Sequence, residues 1–567
     1  MQWQRPTFGN VMNSIAPTSQ DQADAAIARL VSRKEAWIAV SVGDRIAYLK
    51  RCIAEVMAVA ESWVATACHA KGIPSDSQLV GEEWLVGPVA TVANLRQLIQ
   101  TLEANGQPAP IALRSGATGQ FVAEVFPKTV VDRLLWLGYR GEVWIEPGQP
   151  ATQGMIYRQP PDRGQVALVL GAGNIASIAP MDTLNKLFAE DQVVLLKMNP
   201  VNDYLGKFLE QGLRSLVQAG FLEIVYGGAE IGAYLCQHPQ IDTVHITGSH
   251  QTHDAIVWGS TAAEQAERKA NQQPKLNKPI TSELGCVTPI LVVPGRWSRS
   301  DLAFQARQVA SAVAHNASFN CAAAKVLVTA QGWEQREEFL QQVRQALASI
   351  PPRQAYYPRA QQRYQAFLDR YPQSEPLASR TAAIVPWTVI PNVPPAAGEY
   401  ALTTEAFCGV LAEVSLDATS AEEFLAEAVT VANEKIWGTL SCTVLIDRTT
   451  QRRCWAELEQ AIADLRYGSI GVNVWSAVIY SVAVFPWGAF PGHSLDNIGS
   501  GRGMVHNSDL FEHPQKSVLY APFRLRPTPL WFADHRNLAR SAQAFAHLQA
   551  APGWGNFWQV FVAALKG

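Results

Sequence analysis

From Gln165 onward the chain keeps one rhythm, in which a short apolar run is followed by a stretch of helical period and then by another short apolar run. "QVALVL" (165–170) leads into a helix-like stretch, "VVLLK" (193–197) into the helix-like segment Asp203–Ala219, and "EIVYGG" (223–228) into a further helix. "DTVHITGS" (242–249) then closes the set. Strands separated in this way pair in parallel through right-handed crossovers, so the pattern predicts βαβ units on a doubly wound, Rossmann-type sheet. Ligands of such sheets settle beyond the strand ends, and those ends are here rich in Gly, Ser and Asn, although the usual GxGxxG is absent. Further runs, "ILVV" (290–293), "KVLV" (325–328), "TVLID" (443–447) and "SIGVN" (469–473), predict a second α/β unit with its own sheet.

Helices dominate the first hundred residues: Ile46, Leu49, Ile53, Val56 and Ala60 recur at spacings of three and four, and Gly72 closes the run. A chain of 567 residues, 48% of them hydrophobic, exceeds what one core holds and requires at least two lobes. With 17% charged residues and a net charge of −3 there is no global field to recruit nucleic acid or an anionic membrane, so a small-molecule substrate is expected. The start, "MQWQRPTFGNVMNS", has no basic region followed by an apolar run. No stretch approaches the roughly 20 apolar residues of a membrane span, and a cytoplasmic location is expected.

The eight cysteines contain no CxxC pair and are expected to be reduced and mostly buried; no metal is expected. The first dozen residues and Asn271–Pro279 are the segments expected to be disordered. Pro351–Pro395, dense in Pro, Tyr and Arg, is expected to be a surface insertion. The Trp-rich segment after Phe523 is expected to pack on the body or on a partner subunit.

Five short stretches could carry chemistry. In "NASFNCAAAK" small neighbours leave room for a carbonyl to approach Cys321, whose own N–H could hold an oxyanion; most cysteines in such a place are simply buried small residues. Glu283 in "TSELGCVTP" could activate water if burial raises its pKa, or could be a surface charge. Asn174 in "GAGNIASIAP" offers an amide donor and would ordinarily be a turn residue. Lys197, at the end of "VVLLK", could reach a ribose or phosphate, or be a solvated strand terminus. Gly248 and Ser249 in "ITGS" lie between a strand and a helix, where free N–H groups bind phosphate.

In order, "GAGN", "LLK", "ITGS", "ELGC", "NASFNC", "EAFCGVL", "ANEKIWGTLSC", "GVN" and "PWGAFPG…SGRG" resemble the motif string of the aldehyde dehydrogenase superfamily from about Ala23 to Arg502. The resemblance implies that Cys321 attacks the aldehyde, that the adduct gives hydride to NAD or NADP, and that water activated by Glu283 hydrolyses the thioester. It makes Asn174 the oxyanion donor. It places Lys197, Gly227, Gly248, Ser249, Leu284, Glu405 and Phe407 at the cofactor, with Glu405 at the nicotinamide ribose. The implied fold has a doubly wound cofactor-binding lobe (1–138 and 159–284), a second α/β catalytic lobe (285–504) and a β oligomerisation arm with the tail (139–158 and 505–567). Such arms pair subunits in the family, which implies a homodimer or homotetramer.

Several positions depart from the family. "ELGG" is here "ELGC", which puts the side chain of Cys286 where backbone usually passes close. Cys408 and Gly409 replace the Gly-Pro after Phe407, Thr183 stands where a lysine is frequent although Lys186 is near, and Pro200 replaces a ribose-binding glutamate, which leaves NADP as open as NAD. His253 replaces a glycine and is expected on a helix surface. Two other readings remain: a CoA-dependent acyl reductase, which Glu283 argues against, and a dehydrogenase-like binding protein without turnover. Phe319, Trp475–Tyr480 and the 351–395 insertion are expected to wall the pocket, whose aromatic content points to an apolar aldehyde.

Overall fold

The structure is a computed structural model that describes residues 15–116 and 118–567; the disorder expected for the first dozen residues falls outside them. In chain order the strands are β1 (Ala112–Ser115), β2 (Phe121–Phe126), β3 (Arg140–Ile145), β4 (Val166–Leu170), β5 (Val193–Lys197), β6 (Leu222–Val225), β7 (Thr243–Gly248), β8 (Ile280–Leu284), β9 (Thr288–Val292), β10 (Ala324–Ala330), β11 (Glu375–Pro376), β12 (Thr388–Ile390), β13 (Val410–Leu416), β14 (Ser441–Leu445), β15 (Ser469–Val472), β16 (Trp487–Gly488), β17 (Gly501–Arg502), β18 (Met504–Val505) and β19 (Pro514–Tyr520).

One sheet has the order β17-β8-β7-β4-β5-β6, parallel except for β17. The chain builds outward from β4 first to one side and then to the other, so the order reverses between β4 and β7, as the alternating pattern predicts for a doubly wound sheet. β4 and β5 are buried at every residue, because helices cover both faces; this is why they read as unbroken apolar runs rather than alternating ones. The second sheet runs β1-β2-β3-β19-β15-β14-β9-β10-β13-β12-β11. Only Gly285, Cys286 and Val287 separate β8 in the first sheet from β9 in the second.

The helix read from the 46–60 spacing spans Val42–Ala70; Ser41 caps its start and Gly72, at φ +65°, follows its end. The stretch Asp203–Ala219 does not form one helix. It breaks into a 3-10 turn (Asp203–Leu205) and the helices Gly206–Gly212 and Arg214–Gln218, and Gly212 packs where an added Cβ would lie 3.2 Å from Val56.

Two expectations fail. Asn271–Pro279 is ordered, with Leu276 buried and the Lys275 N–H bonded to Val257 O. The 351–395 segment is no surface insertion: it contributes the helix Ala360–Arg370 and the edge strands β11 and β12, and buries Tyr364, Phe367 and Trp387. Its aromatic residues are core rather than decoration.

The arm around residues 139–158 does pair with the segment after 505, β3 running antiparallel to β19. β1 and β2 join the same arm, and β19 lies parallel to β15 with Ser517 opposite Ser469, so the arm extends the chain's own second sheet. In the aromatic tail Phe532 and Phe557 are buried, whereas Trp554 and Trp558 are not. Among the described residues no helix is long and apolar enough to cross a membrane.

Gly501 pairs with Glu283 at φ +121°, and an added Cβ would lie 2.0 Å from Ser282 O. Gly501→Ala is therefore expected to lower stability by more than about 2 kcal/mol in urea unfolding, because strained backbone and a displaced β8 act together.

Candidate functional site

Cys321 sits on a loop between the helix Arg299–Ala314 and β10. Three consecutive residues of that loop, Asn316, Ala317 and Ser318, adopt left-handed backbone at φ +53°, +54° and +68°. Each costs roughly 1–3 kcal/mol and persists only where the surroundings over-determine it. The buried amide of Asn316 supplies this hold. Its Nδ2 donates to Asn174 O (3.1 Å) and Phe319 O (2.8 Å), and its Oδ1 accepts from Lys71 Nζ (3.0 Å) and the Tyr356 hydroxyl (3.1 Å). The Asn316 N–H donates to Glu82 Oε2 (3.3 Å), Lys71 pairs with Glu83 (2.8 Å) and Arg353 with Glu82 (2.5 Å).

On the other side of the loop the Cys321 thiol donates to Glu283 Oε1 at 3.3 Å. Glu283, one residue from the end of β8, is 2% exposed, and its second oxygen has no partner among the described residues. Burial raises its pKa, and the neighbouring Asp182 carboxylate adds to this; Trp487 and His506 offset part of it. Asp182 is held anionic by His245 and His506 in spite of its own burial, and accepts from His506 Nε2 (3.0 Å) and Thr247 Oγ1 (2.8 Å). Burial likewise pushes the Cys321 thiol well up, reinforced by Glu283 and Glu405 and opposed by Lys325. The resting sulfur is thus protonated, and beside it lies a carboxylate with enhanced affinity for a proton.

Lys325 fixes the loop from below, donating to the carbonyls of Asn320 (3.1 Å), Cys321 (3.3 Å) and Ala323 (2.9 Å). The Cys321 N–H has no partner among the described residues, which leaves it able to donate. Asn174 Nδ2 donates to Phe319 O (3.1 Å), two residues before the cysteine, and keeps one hydrogen uncommitted.

Cys321, Glu283 and Asn320 close the inner end of a 370 Å³ cavity; Asn174 is not on its wall. Trp475 and Tyr480 line the cavity as expected, but Phe319 and the 351–395 segment do not. Phe319 is buried against the rings of Tyr356, Tyr357 and Phe407. The outer walls come instead from Leu134–Leu137, Leu525–Trp531 and the Val560–Phe561 turn of the last helix.

The strand ends of the first sheet carry the remaining expected residues. Burial lowers the pKa of Lys197 to about 8, and its ammonium makes no hydrogen bond or ion pair among the described residues. At Gly248 an added Cβ would meet only the side chain of Ile246, at 3.6 Å, and Ser249 caps the next helix through Thr252 N–H. Gly227 is a turn glycine at φ +135° packed on Ile231, and Leu284 is buried. Glu405 turns inward: Lys325 Nζ lies 3.4 Å from its Oε1, the Cys286 N–H faces it, and a Cβ on Gly285 would be 1.9 Å from its Oε2. Phe407 follows in left-handed backbone at φ +43°.

His253 is fully buried and bonded to Asp254 (3.3 Å), not on a helix surface, because it lies one turn before Val257 on the one face of its helix that packs inward. Lys186 is buried and tied to Glu190 (2.6 Å) and Thr281 Oγ1 (3.1 Å), away from the sulfur. Cys286 points toward Ser441 O. The sequence reading passed over Asn316, Lys325 and Lys71. For Lys325 a signal existed, since a lone charge at the start of the apolar run "AAAKVLV" must find partners when that run is buried.

Residues 146–362 match the model of the aldehyde dehydrogenase family. Over 293 residues the chain is 25% identical to the peroxisomal aminoaldehyde dehydrogenase 1 of Pisum sativum, which covers 51% of this chain; the chain spans about half, 48%, of that relative's length. Among solved structures, gamma-glutamyl-gamma-aminobutyraldehyde dehydrogenase from Burkholderia cenocepacia J2315 superposes with a TM-score of 0.61 at 19% identity, over 91% of this chain and 92% of that one. A Mycobacterium tuberculosis aldehyde dehydrogenase complexed with NAD+ gives 0.61 at 15% identity over 93% and 97%. The NADP-dependent glyceraldehyde-3-phosphate dehydrogenase of Bacillus halodurans C-125, complexed with NADP, gives 0.59 at 16% over 88% and 91%. At these identities the superpositions establish a shared fold.

Lys71→Met, which leaves Glu83 and the Asn316 amide without their buried cation, is expected to cost about 3–5 kcal/mol in denaturant unfolding. Alkylation of Cys321 by iodoacetamide is expected to be still accelerating at pH 9.0. Glu283→Gln removes a negative neighbour, so thiolate should form at lower pH and the profile should shift down; a profile unmoved by the substitution would contradict the assigned contact.

Proposed function

We propose that this chain is a member of the aldehyde dehydrogenase superfamily, supported by the family match over residues 146–362 and the shared fold, and that it oxidises an apolar aldehyde to its carboxylic acid with NAD or NADP. The observation that carries this reading is a thiol 3.3 Å from a buried carboxylate at the inner end of an apolar-walled cavity.

The residues at the strand ends fit a dinucleotide. Lys197 has a cation to spare, Gly248 and Gly228 leave open space for close approach, and Ser249 and the turn after β7 offer backbone N–H groups to a pyrophosphate. When bound, the nicotinamide supplies the acceptor for the hydride that the tetrahedral adduct releases. Glu405, engaged with Lys325 and the Cys286 N–H, has to turn outward to reach a ribose.

The chain's own groups do the rest. Glu283 takes the thiol proton as Cys321 sulfur bonds to the aldehyde carbon, so the thiolate forms at the moment of attack. The carbonyl oxygen becomes an oxyanion, for which the unpartnered Cys321 N–H is the donor; Asn174 Nδ2, off the cavity wall and bonded to Phe319 O, has to turn toward the cavity to add its second hydrogen. After oxidation the acyl group is a thioester on Cys321. Glu283 first releases the thiol proton to solvent and then takes a proton from water as its oxygen attacks the acyl carbon; the sulfur leaves as thiolate and receives that second proton back from Glu283. The raised proton affinity of Glu283 suits both proton transfers.

Three measurements test this reading. Aldehyde-dependent formation of NADH or NADPH should vanish in Cys321→Ser. Glu283→Gln should retain a burst of reduced cofactor, slowed because the thiol loses its base, and lose steady turnover. Along a series of straight-chain aldehydes kcat/KM should rise roughly fourfold per methylene, about 0.8 kcal/mol each, until the cavity is filled. A requirement for CoA, or the absence of any turnover, overturns the reading.

A further inference from the structure

The cavity above Cys321 opens onto apolar surface. Its outer wall includes Leu134 and Leu137 beside Phe561, and these are 50%, 77% and 40% exposed. The helices Val130–Leu135 and Trp554–Ala564 carry Leu134 and Phe561, with Leu137 just past the end of the first, and pack side by side, with Val131 and Leu135 against the cluster of Phe557 and Val560. The last helix is apolar on two faces. Phe557, Val560 and Ala563 face the body, while Trp554, Trp558, Val562 and Leu565, spaced one helical turn apart, are 50 to 62% exposed. A helix with apolar residues on two faces needs cover on both, and this patch shares its helix with Phe561 and Ala564 of the cavity wall.

The charge around the patch says what covers it. The net charge of the chain is −3, but residues 535–567 contain no Asp or Glu. Arg526 lies on the cavity wall itself, and Arg133 and Lys566 are exposed beside the apolar residues. The nearby acids are committed elsewhere: Asp132 is buried and caps Thr129, and Asp534 pairs with Arg307 at 2.6 Å. A second copy on this face would set the arginines and lysine of one chain against those of the other. A protein cover would also seal the route to Cys321, whereas a lipid surface supplies apolar molecules to it.

We propose that this face seats on an anionic lipid bilayer, with tryptophans and leucine in the headgroup boundary and Arg133, Arg526 and Lys566 at the phosphates, so that bilayer-dissolved aldehydes pass straight into the cavity. The proposal rests on the reading of the cavity as an aldehyde site and names the source of its substrate.

The test is flotation of the full chain with phosphatidylcholine vesicles and with vesicles that also contain phosphatidylglycerol. Binding is expected only to the second kind, and is expected to weaken at least about tenfold in Trp554→Ser/Trp558→Ser/Leu565→Ser and, independently, in Arg133→Glu/Lys566→Glu, whose exposed charges do not bear on folding. Turnover of a water-miscible aldehyde should be unchanged in both variants, while turnover of a long-chain aldehyde held in the vesicles falls. No flotation of the unaltered chain overturns the proposal, as does flotation unaltered in both variants. Conversion of a dimer to a monomer by either variant, without vesicle binding, overturns it in favour of a second copy. Flotation needs no turnover, so vesicle binding by a chain inert toward every aldehyde upholds the docking face and removes the catalytic reading instead.

Discussion

One buried amide holds the loop of Cys321 in place. Asn316 accepts from a lysine at the end of the Val42–Ala70 helix and from a tyrosine of the 351–395 segment, and donates to the carbonyls of Asn174 and Phe319. Three parts of the chain, far apart in sequence, thus converge on one side chain, and the left-handed backbone of residues 316–318 is tolerable only because of it. The hydrogen bonds are made in a dry interior where an unsatisfied partner costs more than a formed bond returns. The loop that carries Cys321 is therefore locked by the penalty for leaving its neighbours unpaired.

The second determinant is the three-residue link from β8 to β9. It forces the end of the first sheet against the start of the second, and so brings Glu283 to the loop that precedes β10, the parallel neighbour of β9. Both the carboxyl and the thiol are pushed up by the same burial. Passing the proton from the thiol to the carboxylate moves the negative charge from one to the other and leaves the net charge of the buried site unchanged.

Sequence periodicity located the central strands β4, β5, β9, β10, β14 and β15 because they are covered on both faces and so read as unbroken apolar runs. It missed the order in 351–395, where Pro and Arg between aromatic residues mask a buried helix and two short edge strands. Cys321 and Glu283 were legible as motifs, and the structure brings them together. The Asn316 clamp was not legible, since Tyr356, Asn174 and Lys71 lie 40, 142 and 245 residues away and nothing local marks them. His253 was misread because a polar residue on a short helix gives no sign of which face its neighbours will cover.

The continuity of the second sheet also fixes what it offers to other chains. β19 has β3 on one edge and, over Ser517–Tyr520, β15 on the other, so that half of the strand is paired on both edges within the molecule. The eleven-stranded sheet then ends in two stubs: β1, four residues long with an arginine, and β11, two residues of which one is a proline. Short, charged or proline-bearing margins are poor templates for strand addition. The sheet is thus blunted against fibril-like growth at both borders.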